Sequence, residues 1–147
     1  MQTDLLRDLE ARRASIEARW KDLLMIERAE SPLESPAILV HMFKLTLNEF
    51  FASLAAGAPT GAIPRAASCP CGRNPLLKYF SSGRQAVEEA LVLSQAARPV
   101  VATERDAALA EVEAAYGRIA RREIDALCAI CQFRRPVDRP PAFAAAC

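Results

Sequence analysis

The sequence predicts an all-α protein, specifically an antiparallel four-helix bundle with one long linker between helices 2 and 3. Three observations lead there. Four segments repeat their apolar residues at helical spacing, and no run shows the period-two alternation of a half-buried strand. Two connections are short and one is long, and short connections make antiparallel neighbours. The chain has 147 residues, 52% hydrophobic and 25% charged, which suits one globular domain rather than a disordered chain.

The first helix is expected over residues 4–29, where Leu5, Leu9, Ile16, Trp20, Leu23 and Leu24 recur at helical intervals among Arg and Glu. In ESPLESPAILV, Ser31-Pro32 and Ser35-Pro36 each offer an N-cap followed by proline at the first helical position, and Glu34 completes a capping box with Ser31. The second helix therefore starts here. It runs through Leu39, Phe43, Leu47, Phe50 and Leu54 and stops near Gly57. Its strongly apolar composition makes it the most buried helix, and part of it left uncovered beside the linker would favour a homodimer.

Residues 57–68, GAPTGAIPRAAS, hold two glycines and two prolines without helical periodicity and form the long linker. The third helix is expected from Pro75 to Ala97 on Leu76, Phe80, Val87, Leu91 and Leu93, with a weak point at Ser81-Ser82-Gly83, where Ser82 and Gln85 read as a fresh capping box. Pro99 ends it. The fourth helix restarts at Thr103, follows Leu109, Val112, Tyr116, Ile119, Leu127 and Ile130, and reaches about Gln132. Residues 1–133 thus make one helical domain, and the proline-rich residues 134–147 a flexible tail.

Charge narrows the function classes. Nineteen Lys and Arg against eighteen Asp and Glu leave a net charge of +1, which gives no field for gathering nucleic acid or an anionic membrane. The N-terminus mixes acids and arginines and lacks the apolar core of a secretory signal, so a cytoplasmic location is expected. No apolar run approaches the roughly 20 residues that span a bilayer.

Five cysteines in a reducing compartment point away from a disulfide framework. SCPCG holds Cys69 and Cys71, and CAIC holds Cys128 and Cys131 on one face of the fourth helix. Counted from Pro99, the first pair lies 30 and 28 residues back and the second 29 and 32 residues ahead. The four thiols are therefore expected to meet at one end of the bundle. Four thiolates fit a tetrahedral zinc site, and an iron–sulfur cluster uses the same ligands. Arg73, Lys78, Arg134 and Arg135 flank the site in sequence. Two other readings use the same residues. Cys71 precedes a helix N-terminus, whose dipole favours thiolate, so Cys69 or Cys71 could serve as the nucleophile of a thiol redox protein. Alternatively the cysteines are inert, since free cysteine is among the most buried residue types, and the protein is a plain helical interaction module.

The remaining candidates read as structural. His41 is the sole histidine and sits on the apolar second helix, where it is expected as a core or rim residue. Glu88-Glu89, Glu111 with Glu113, and Arg118, Arg121 and Arg122 read as solvated helix faces, and Cys147 as a bystander in the tail. No phosphate loop or nucleophile elbow is present, and no acid–base pair stands out, so an enzyme is the less favoured class.

Arg13, Ile16 and Trp20 in the first helix, followed by the apolar LVHMFKLTLNEFFASL, give about a third of the chain a pattern that resembles the N-terminal helical domains of bacterial signalling proteins, in particular the RsbR-type co-antagonists of stress-response regulation. That resemblance implies a sensory or dimerising module with a signal-sensing or regulatory role, and does not bear on the cysteine pairs; such a role would be exercised through a protein partner or self-association. With the cysteine count, it makes the expected function a cytoplasmic regulatory or sensor protein with a four-cysteine metal site at Cys69, Cys71, Cys128 and Cys131.

Overall fold

Five helices, where four were expected, make up the described part of a computed structural model, and all its regular secondary structure is helical. The structure describes residues 1–26, 36–57, 69, 74–99 and 101–130, without the side chains of residues 26, 36–38 and 40. The Ser31 and Ser35 caps, nearly all of the long linker and the tail lie outside the described residues. Among those described, no helix is long and apolar enough to cross a membrane.

The extra helix comes from a break at Arg12, which divides the expected first helix into α1 (Thr3–Ala11) and α2 (Arg13–Ile26). Arg12 leaves the α conformation at φ −87° and ψ 5°. Its N–H donates to the Leu9 carbonyl three residues back at 3.1 Å, a tightened last turn, and the Arg12 carbonyl accepts from the Ile16 N–H at 2.9 Å. The apolar stripe survives the break, because Leu5, Leu9, Ile16 and Trp20 are all buried.

Helix α3 (Pro36–Ala55) begins on the second of the two expected prolines. It ends where Gly57 adopts φ 69°, a left-handed conformation that closes a helix at little cost only for glycine. Its contacts with α2 are specific. Arg13 donates to Asn48 and stands over the Phe51 ring at 5.0 Å, and Trp20 stacks on Phe43 with centroids 4.5 Å apart.

Helix α4 (Pro75–Ala96) starts at a complete cap: the Asn74 side-chain oxygen accepts from the Leu76 N–H at 3.0 Å and Pro75 takes the first position. Helix α5 (Ala102–Ala129) follows after Pro99. Asn74 meets Cys128, Glu88 faces Glu113 and Gln95 reaches the Arg105 carbonyl. As the numbers rise in one helix they fall in the other, so α4 and α5 form a hairpin.

Three expected core positions lie outside the core. Leu93 is 57% exposed, Leu109 37% and Ile130 76%. Leu93 stands two residues, about 200° of helical rotation, from the fully buried Leu91, so one apolar face cannot hold both. Ile130 lies beyond the last turn of α5. Small residues make up the difference, with Ala86, Ala90, Ala108, Ala114, Ala115 and Ala120 buried along α4 and α5. Ion pairs link the outer surfaces: Arg19–Glu89 at 2.7 Å, Arg122–Glu49 at 2.5 Å and Arg98–Asp8 at 2.5 Å. Exposed pairs of this kind contribute about 0–1 kcal/mol each, so the interior decides the stability.

Candidate functional site

The open end of the α4–α5 hairpin is where the four thiols are expected to meet, and the structure places Asn74 there against Cys128. Asn74 is buried and capping α4 fixes its oxygen, which turns the amide nitrogen toward α5. That nitrogen donates to the Ile124 carbonyl at 3.2 Å and to the Cys128 sulfur at 3.3 Å. One side chain therefore caps one helix and ties it to the end of the other. Cys128 packs half-buried against the core, and Cys69 is a half-buried thiol.

This arrangement corrects the metal-site function. Among the described residues no group of three or more His, Cys, Asp or Glu side chains could hold a metal ion. The physical reason is local: Cys128 Sγ faces an amide donor that belongs to the α4 cap, and its packing completes the hairpin. Cys71 and Cys131, with the flanking Arg73, Arg134 and Arg135, lie outside the described residues.

The second concentration of polar groups is in the aromatic interior. Trp20, Tyr79 and Tyr116 are almost wholly buried and form a continuous cluster with Phe43, Phe50 and Phe80. Trp20 Nε1 donates to the Tyr79 carbonyl at 2.9 Å, and the Tyr79 hydroxyl bonds with the Thr46 hydroxyl at 3.0 Å. Among the described residues the Tyr116 hydroxyl has no hydrogen-bond partner. It lies against Gly83, where an added Cβ would overlap both that hydroxyl and the Trp20 ring. Gly83 is thus a notch in an unbroken α4, in place of the weak point that Ser81-Ser82-Gly83 suggests. Ser82 is buried within the helix, and Ser81 Oγ bonds back to the Lys78 carbonyl at 3.0 Å.

Burial pushes the Tyr79 hydroxyl up to about 12, with the Thr46 bond pulling the other way, and pushes Tyr116 well above the usual range. A raised folded value means that the unfolded chain loses its phenolic protons first. The stability is therefore complete below pH 10 and lost as the pH rises from 10 through about 12. These are the chain's only two tyrosines. Tyrosinate absorbance near 295 nm is accordingly expected to stay absent at pH 10.5 and to appear together with the loss of helical circular dichroism. Titration of either tyrosine in a still-helical protein at that pH would contradict the packing described.

The other candidates fall into place individually. His41 is exposed, not at the core or rim. Glu89 is held below the usual carboxylate range by bonds from Arg19 and Gln85, Glu111 pairs with the Met1 amino group, and Arg122 bridges Glu49 and Glu123. Asn74 as a tie between helices, and the tyrosine hydroxyls in the core, went unread in the sequence. The Asn-Pro cap signal marks Asn74 as a helix start but says nothing of its second partner. Compared with protein-family models, curated proteins and solved structures, the chain matches none.

Proposed function

We propose that this protein is a helical interaction module, an antiparallel four-helix bundle that works by binding another protein, with cysteines that are inert structural side chains. The observation that carries the reading is the Asn74–Cys128 contact: a thiol expected to coordinate metal accepts a hydrogen bond from a helix cap instead. The resemblance of α2 and α3 to bacterial sensor modules supports a regulatory role, here placed in the cytoplasm. A protein partner is favoured over self-association through α3, whose outward positions His41, Leu45, Asn48 and Ala52 include one large apolar residue, Leu45 at 70% exposure.

Replacing Cys69, Cys71, Cys128 and Cys131 together by alanine tests this. The variant is expected to keep its helical content and to lose about 1–2 kcal/mol, mostly from truncating the half-buried Cys128. Chelator should shift neither melt. Collapse of the variant to an unfolded chain, or a wild-type melting point lowered by chelator, would overturn the proposal.

A further inference from the structure

Where α4 and α5 run side by side, their register brings Val92 opposite Leu109, between the facing pair Glu88–Glu113 and the Gln95–Arg105 contact. Val92 is 59% exposed and Leu109 37%, so this apolar step lies open on the outer seam of the hairpin. Two carboxylates stand one turn farther along. Glu88 interacts with Arg84 at 3.6 Å, a long pairing on its own helix, and Glu113 adds like charge beside it. An open apolar pair bordered by facing like charges is complementary to an apolar side chain with a cation beside it.

We propose that the α4–α5 seam, with Val92 and Leu109 as its apolar floor and Glu88 and Glu113 as its acidic border, is the docking surface for an amphipathic helix of a partner protein that presents a Lys or Arg one turn from an apolar anchor. This rests on the interaction-module reading and supplies its surface and the chemistry of its partner. A helix in a groove is read through apolar anchors spaced three or four residues apart, and two residues four apart on that helix can cover the apolar pair and the acidic border together. Burial raises Glu88 above the usual carboxylate range, with Glu113 adding to the effect and Arg84 opposing it. A cation seated between the two carboxylates relieves their repulsion. It also sets specificity, because an acidic helix in the same place meets like charges.

The test is selection of a phage-displayed library of amphipathic helical peptides against the full-length protein, with Lys, Gln and Glu equally represented beside the apolar positions. Enriched peptides are expected to carry Lys next to an apolar residue. Their affinity should fall at least tenfold on Val92→Asp and on Glu113→Lys, and stay unchanged on Leu93→Asp, a substitution at an exposed apolar residue about 100° away around α4. Selection against Glu113→Lys should lose the preference for Lys peptides. All three substitutions are at exposed or half-exposed positions, and matching melts will confirm that the variants are folded. Enrichment indifferent to charge, no enrichment, or binding insensitive to Val92→Asp would overturn the seam. Peptides lost on Leu45→Asp instead would overturn it while leaving the interaction-module reading in place. A concentration-dependent dimer abolished by Val92→Asp would overturn the proposed occupant in favour of a second copy of this chain. Failure of the module reading itself shows separately, as bound metal or chelator sensitivity.

Discussion

Gly83→Ala is expected to destabilise the protein by about 2 kcal/mol, the opposite of what the same change does in an ordinary helix. In a helix interior, alanine in place of glycine gains about 1 kcal/mol of propensity. Here the new methyl would occupy the space of the Tyr116 hydroxyl and the Trp20 ring. Overpacking typically costs 1–3 kcal/mol and occasionally more, and Trp20 has little room to yield. Its Nε1 is bonded to the Tyr79 carbonyl and its ring is held between Phe43 and Tyr79. For a chain of this length, melting should fall by roughly 4–8 °C. The partner residue gives a control. Tyr116→Phe removes a buried hydroxyl that has no hydrogen-bond partner among the described residues and is expected to stabilise by about 1 kcal/mol. It should also recover part of the Gly83→Ala loss, and only part, because the Trp20 overlap persists. Thermal and urea denaturation of the two single variants and the double variant measure this coupling. Gly83→Ala as stable as the wild type would show that the α2–α4–α5 junction is not packed as described.

Trp20→Ala is expected to cost about 3–5 kcal/mol, as truncation of a large, fully buried aromatic does. The loss combines the vacated volume with ring contacts to Phe43, Tyr79 and Tyr116 and the 2.9 Å indole bond. Trp20→Phe keeps most of the ring area and gives up the bond, so about 1–2 kcal/mol is expected. A chain of this size has about 5–15 kcal/mol in all, so Trp20→Ala removes a large share of it. Circular dichroism during urea unfolding provides the measurement. A loss below about 1 kcal/mol for the alanine variant would place Trp20 outside the core.

The helices were legible because their signals are local. Apolar spacing marked Leu5, Leu9, Ile16 and Trp20, Asn74-Pro75 marked a cap, and Gly57 marked a stop, each of which depends on a few neighbouring residues. Counting from Pro99 matched the two arms of a hairpin, and the structure sets Asn74 against Cys128 at its open end. What spacing could not supply was the chemistry at that meeting point, since an asparagine already committed as a cap can reach the facing sulfur as readily as a metal could. Gly83 differs from its local signal for a similar reason. A glycine within a helical pattern signals a break when only its own helix is considered, and a notch once Trp20 and Tyr116 fill it. Leu93 and Leu109 read as inward from their apolar spacing, while alanines such as Ala90 and Ala115 take buried positions between the helices. Those placements depend on residues far apart in sequence.

The central claim is that the cysteines are structural and that the protein works by binding, without a metal. Elemental analysis of protein purified without chelator or added metal tests it most directly, read against protein concentration and the visible absorption spectrum. The account predicts zinc and iron well below one atom per chain and no absorption above 300 nm. One zinc per chain that survives dialysis, or the broad visible absorption of an iron–sulfur cluster, would contradict it.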